Sequence, residues 1–523
     1  MVTESVLYEH PELGNLKGQS LGDGLVQFRN ILYATIPARW KSSEIVNDLH
    51  AHYNNKGFYN ATAWGPIPPQ HLDSIEFDFG LIQRRLPLDH PLVCDEDKCL
   101  NLNLTLPSVE AKNLPVVVLG GFFVGCNSWP QYDLASLVRL GKKDGKPVIG
   151  VGINYRLGLL GFLASREMSG NDVVGNFGLH DQANALRWVR FGGDPENVTL
   201  FGESAGAISI WMHLLRGEPL FQRAMPMSGD PRLRPVQSIQ QNEQVYASLA
   251  QDMGVMNVTE SERTRRLRSI PWQKLISSPL NMRCFPSEDG GFKPLRESTK
   301  DQEQQIKECL GRCKTIVIGD CELDASAMAQ TLRQPEWFKN FRFSFEEFFT
   351  SDEIKQIVNA YGLDQEGPVS DPVHMGLLQF VTDVRFYLPV VLAQQLVPAD
   401  ASVHVYHFHE PNPFDGPFKN RTGHVLDVAY TMQTYQHLLP EEARLVSLRM
   451  GRYLLDLAHG AFDSVDSDKK EKTTKVYDVD HSVRTVPPME YDTKYRRGVA
   501  PLLKSLGDKR LMRALELFQF GIR

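Results

Sequence analysis

A doubly wound α/β fold, built on a large mixed and mostly parallel sheet flanked by helices, is predicted by three observations. Continuous apolar runs at 115–119, 147–153 and 315–319 suit strands buried on both faces, because a strand with one wet face would alternate. Helical segments fall between the first runs, and strand, helix, strand, helix is the order that parallel pairing through crossovers requires. Third, the run Val198-Thr199-Leu200 leads through Gly202-Glu203-Ser204-Ala205-Gly206 into the apolar stretch 207–215, a strand, a sharp turn and a helix in close succession.

Taken in order, the first hundred residues carry short β-rich runs at 25–29 and 30–34, then Pro-rich loops at 66–69 and an alternating strand at 100–106 closed by Pro107. These form an antiparallel edge. Helices are expected around 132–140 and over 181–189, before the turn at Ser204. Helical insertions at about 230–314 and 336–396 flank the buried strand at 315–319, and insertions of this kind build the wall of a pocket. A strand at 403–409 follows, with His407 and His409 on one face. Interleaved with Tyr406 and Phe408, they suit a strand end better than a metal pair. The charged run 463–475 reads as a surface loop, and a helix over 492–520 closes the chain. One domain spans 1–523, with no internal repeat and no shift in composition.

Composition narrows the function classes. With 523 residues, 42% hydrophobic and 23% charged, the chain can bury a large core. A net charge of -7 argues against nucleic acid as a partner, since phosphate binding draws on basic patches. The first residues lack a basic segment followed by an apolar core, and no run of about 18 apolar residues marks a membrane span. The expectation is a cytoplasmic protein with its seven cysteines reduced. Sequons at Asn60, Asn103, Asn197, Asn257 and Asn420 would then be accidental. Cys309, Cys313 and Cys321 lack the paired C-x-x-C and neighbouring histidine of a metal centre, and no cofactor motif is present.

The chemistry gathers on Ser204, the centre of G-x-S-x-G. Glycines on either side let a strand and a helix crowd together, so that the serine holds a strained backbone with its hydroxyl in a cleft. A serine hydroxyl needs a base, an acid to hold that base, and N–H donors for the oxyanion that forms. Gly120-Gly121 follows a buried strand upstream, so the N–H groups of Gly120, Gly121 and Ala205 are the candidate donors. After the strand 315–319 come Asp320, Glu322 and Asp324, any of which could orient a histidine. His424, in the glycine-bearing loop Gly423-His424-Val425-Leu426-Asp427, stands where a base should follow the acid.

These residues resemble the type-B carboxylesterase family, which includes the cholinesterases, and in character they are closest to its intracellular fungal members. The likeness rests on N-Y-R-L-G-L-L-G-F-L at 154–163, G-N-F-G-L-H-D-Q at 175–182, F-G-G-D-P-E-N-V-T-L-F-G-E-S-A-G-A at 191–207 and M-S-G at 227–229. A further match is E-D-K-C-L-N-L-N-L at 96–104. The resemblance implies the α/β-hydrolase fold and a triad of Ser204, Asp324 and His424, with Glu322 as the alternative acid. Asp324 stands five positions after the glycine that ends its strand, where most members carry Glu. Leu119 replaces the first of three oxyanion-motif glycines, and Pro68 stands at the half-cystine that would partner Cys99. The segment 188–191 is shorter than usual.

The implied activity is hydrolysis of an uncharged, apolar or aromatic carboxylester, a small molecule, through an acyl-enzyme. Phe122, Phe123 and Trp211 are the expected pocket lining. The resemblance does not imply a choline ester, because no tryptophan lies between Gln70 and Cys99, where the cholinesterases place the aromatic that holds a quaternary ammonium. The alternatives on the same fold are a biosynthetic enzyme of acyl transfer, cyclisation or elimination, and a non-catalytic adhesion protein.

Overall fold

The computed structural model describes the whole chain except residues 1–3, 11, 54–56, 112–113, 121–123, 170–173, 190–192, 234–235, 290, 293–298, 334–335, 365–369, 397–401, 463–472 and 521–523. Its centre is a thirteen-stranded sheet. Twelve strands form one path: β1 Ser5–His10, β2 Gly14–Ser20, β3 Val26–Leu32, β4 Asn101–Leu106, β5 Val116–Gly120, β6 Ile149–Ile153, β7 Val198–Glu203, β8 Arg223–Met227, β9 Thr315–Cys321, β10 Ser402–Phe408, β11 Thr474–Tyr477 and β12 Val483–Val486. Their spatial order is β1-β2-β3-β4-β6-β5-β7-β8-β9-β10-β11-β12, and Tyr59–Asn60 pairs with β2.

The six strand pairs from β6 to β11 are all parallel; the other pairs on the path are antiparallel, and Tyr59–Asn60 pairs with β2 in parallel. The antiparallel edge comes from the first hundred residues. There the two short runs of the sequence join into β3, whose register slips between Phe28 and Ile31.

Continuous hydrophobicity has the expected cause. Along β9, Ile316 and Ile318 belong to one buried cluster while Val317 and Cys321 belong to another; along β7, Val198 and Leu200 part from Phe201 in the same way. Successive side chains point to opposite faces, and both faces are covered. The insertions carry their own cores. One gathers Trp337, Phe341, Phe345 and Leu377 with Leu511 and Phe518 of the C-terminal helix; the other gathers Leu159 and Phe162 with Tyr246, Leu249 and Leu267.

Three expectations change. The helix over 492–520 is three helices, Pro488–Tyr495, Ala500–Leu506 and Asp508–Phe520, because Gly498 at φ +67° and Gly507 at φ +87° turn the chain between them. The charged run 463–475 ends inside β11, at Thr474 and Lys475, while 463–472 lies outside the described residues. Among the described residues, one segment is long and apolar enough to cross a membrane, Asp371–Gln395, and 78% of its apolar window is buried inside the fold. Burial in the protein accounts for its hydropathy.

Candidate active site

At the end of β7 the chain turns sharply into the helix Ala205–Arg216. Ser204, at the turn, has φ 54° and ψ -111°, a conformation that non-glycine residues adopt only under strain. Two neighbours hold it there. The Ser204 N–H donates to Met227 O at the end of β8 (2.9 Å), and the Ser228 N–H donates to Gly319 O of β9 (2.8 Å). Gly229 lets them approach, since a Cβ on it would lie 2.5 Å from Ser204 O and 2.6 Å from Ala207 Cβ.

His424 is delivered from the other side of the sheet's carboxyl edge. A bridge between Leu323 and Gly423 ties its loop to the segment after β9, and the His424 N–H donates to Ser326 Oγ (2.8 Å). Its Nδ1 lies 2.7 Å from Asp324 Oδ1. Asp324 is fully buried, and its second oxygen accepts the Cys321 N–H (2.8 Å), so the carboxylate is locked by its own turn. Phe386 packs edge-on against the imidazole at 5.5 Å.

The two acids that competed in the sequence part company here. Glu322 faces away from His424: its carboxylate accepts Arg421 Nε (2.8 Å) and the Thr422 N–H (3.0 Å). Asp320, the third acid of the segment, pairs with His407 Nδ1 (2.6 Å). His407 is stacked on Tyr491 at 3.7 Å, and His409 Nε2 meets the Tyr491 hydroxyl (2.7 Å), so each histidine has a protein partner.

Glu203, which the sequence did not single out, stands against the other face of the imidazole. Its Oε1 lies 2.6 Å from His424 Nε2, an ion-pair distance without the alignment of a hydrogen bond. Burial pushes the Glu203 carboxyl up to about 7, against the pull of His424. Burial works against the imidazolium too, but Glu203 and Asp324 outweigh it and hold the His424 pKa well above its ordinary value. The only sequence signal for Glu203 was its place beside the serine. Asp427, three residues beyond His424, binds the Tyr406 hydroxyl (2.7 Å), and burial raises its carboxyl to about 6.

Ser204, Glu203, Ala205 and His424 line one cavity of about 430 Å3. Gly120 ends β5 directly opposite Gly202 of β7, next to the turn, and Ala205 opens the helix, where N–H groups lack intrahelical partners. Gly121, Phe122 and Phe123 lie outside the described residues, as does most of the short segment after Trp188. Trp211 is not a pocket residue. It is 1% exposed and belongs to the buried cluster of Trp188 and Leu214, while Ile208, one turn earlier, reaches the cavity. Among the described residues, the aromatic lining comes from Phe77, Tyr132, Tyr155 and Phe386. All seven cysteines are free thiols, Cys99 among them, and Gln70, two residues after Pro68, is tied to Gly125 by paired hydrogen bonds of 2.9 and 3.0 Å.

A model of the carboxylesterase family matches residues 7–479. Para-nitrobenzyl esterase of Bacillus subtilis (strain 168) is 32% identical over 295 residues, 53% of each chain. Cholinesterase of Mus musculus is 34% identical over 309 residues, 53% of this chain and 48% of that one. The chain therefore spans about half the length of these two relatives. Lipase 3 of Yarrowia lipolytica is 27% identical over 493 residues, 86% of this chain and 88% of that one. A solved PNB esterase shares the fold, with a TM-score of 0.71 and 23% identity over 95% of this chain and 99% of that one. The α/β-hydrolase sheet, the strained serine at its carboxyl edge and a family match across most of the length agree: this chain belongs to the carboxylesterase family.

Proposed function

We propose that the protein hydrolyses an uncharged, apolar or aromatic carboxylester by a serine acyl-enzyme mechanism. The observation that carries this is the strained Ser204 in one cavity with His424, whose far nitrogen is held by the buried Asp324. Ser204 Oγ attacks the ester carbonyl while His424 Nε2 takes its proton; the imidazolium returns it to the leaving alcohol, and water then repeats the cycle on the acyl-enzyme. Asp324 fixes the tautomer and steadies the imidazolium. The Gly120, Gly121 and Ala205 N–H groups receive the oxyanion. At rest Nε2 faces Glu203, so the imidazole gives up its proton and turns to the serine before it acts as the base.

The test is labelling with a fluorophosphonate, then kinetics on 4-nitrophenyl butanoate. Ser204 should be the labelled residue, and Ser204→Ala should lose at least ~10^3-fold in kcat. Wild-type turnover by that variant would overturn the proposal.

A further inference from the structure

Resting on the esterase reading, the cavity wall says more about the substrate. The helix Ser74–Ile82 borders the cavity with an inverted pattern: Phe77 is 56% exposed at the mouth, while Asp78, next to it, is 6% exposed and faces in. Asp78 Oδ1 accepts the Tyr132 hydroxyl (2.9 Å) and Oδ2 accepts Gln131 Nε2 (2.7 Å). Each carboxylate oxygen keeps a further lone pair. Burial raises the Asp78 carboxyl, a strain that another donor would relieve.

Asn127 also borders the cavity, with its amide turned into the protein. The Asn127 side-chain nitrogen donates to Asn101 O, Asn101 Oδ1 and Gly152 O, all at 3.2 Å, which fixes the orientation of the amide. Its Oδ1 is closed off from the cavity, with no accessible surface for a ligand to meet. No lysine or arginine lines the cavity among the described residues. The wall therefore sets the Asp78 carboxylate, whose two partners are neutral, in largely apolar surroundings. A buried acceptor left unpaired is costly, so a ligand that supplies a donor is favoured over one that does not.

We infer that Asp78 is a specificity residue that receives a hydroxyl group on the substrate, so that the preferred ester carries a neutral hydrogen-bond donor on an otherwise apolar body. A neutral donor fits better than an ammonium because an ammonium costs far more to desolvate in a largely apolar cavity.

The experiment compares kcat/KM for 4-nitrophenyl esters of straight-chain acids with their ω-hydroxy and ω-amino counterparts over several chain lengths. Alkyl and hydroxyalkyl benzoates cover the alcohol side. The wild type should favour a hydroxylated ester over its plain partner by about tenfold or more in at least one set. Asp78→Leu should bring that ratio near one, and Asp78→Asn, which keeps the shape and an oxygen for Tyr132, should leave an intermediate ratio. If Asp78 only tethers its helix, both esters lose rate together and the ratio stands, which overturns the inference. Absence of any preference in the wild type, or a greater preference for the amino ester, overturns it as well. Fluorophosphonate labelling of Ser204 is read alongside: a chain that labels but shows no hydroxyl preference defeats this inference alone, whereas a chain that neither labels nor cleaves the plain esters defeats the esterase reading.

Discussion

At the level of single residues, the site turns on which carboxylate reaches His424, and two of three candidates do. Asp324 takes Nδ1, Glu203 takes Nε2, and Glu322 is spent on Arg421. The first consequence is a clean separation of acids: Asp324→Asn should cost ~10^4-fold in kcat, as loss of the orienting carboxylate does in a serine triad, while Glu322→Gln should stay within about threefold. Steady-state kinetics of the two variants would decide between them, and equal losses would refute the assignment. The second consequence concerns pH. The proposed base, His424, can act only when neutral, and against the cost of burial Glu203 and Asp324 hold its pKa well above the ordinary value, so kcat/KM should rise with pH along a limb displaced to the alkaline side. Removing the negative charge in Glu203→Gln takes away the largest influence raising that pKa, so the limb should move toward lower pH. An unmoved limb would show that Glu203 does not hold the imidazolium.

At the level of elements, the turn at Ser204 was the most legible part of the chain, because its requirements are local. A strand needs β-branched and apolar residues, the helix needs an apolar face, and both are written in consecutive residues. What closes the turn is not local. Gly229 sits after the next strand, and its missing Cβ is what allows Ser204 O and Ala207 to approach. We expect Gly229→Ala to destabilise by about 1–3 kcal/mol, since the contact is with backbone that cannot swing away, and to slow fluorophosphonate labelling. Thermal melts and labelling rates would check this; an unchanged labelling rate would detach the turn from Gly229. The pocket helix Ser74–Ile82 was illegible for the opposite reason. Its outward Phe77 and inward Asp78 reverse the usual pattern, since this helix borders a cavity instead of packing wholly on a core.

Across the whole molecule, the carboxyl edge of the sheet is tied to the second insertion and to the C-terminal segment by Arg496. This fully buried guanidinium donates to Glu322 O (2.9 Å), Cys321 O (3.2 Å) and Asp383 (3.1 Å), and lies 3.4 Å from Asp320. Truncating it removes the buried positive charge beside Asp320 and Asp383. Arg496→Ala is therefore expected to cost about 3–5 kcal/mol in urea unfolding, and a loss below about 1 kcal/mol would mean the cluster is not carrying the junction. Because Cys321 is also the donor to Asp324 Oδ2, the same variant should weaken activity beyond its effect on stability.

By itself, the sequence determined what depends on neighbouring residues: the buried strands, the crossover order, the strained serine and the presence of an acid and a histidine after later strands. Hydrophobic periodicity and turn chemistry act within a few residues, so they can be read along the chain. Only the tertiary structure decided which acid meets His424, that Glu203 takes its other nitrogen, that Trp211 belongs to the core, and that Asp78 faces the cavity. Each of those depends on groups up to a hundred or more positions apart brought within hydrogen-bond or packing distance, and a contact of that kind leaves no periodic trace in the chain.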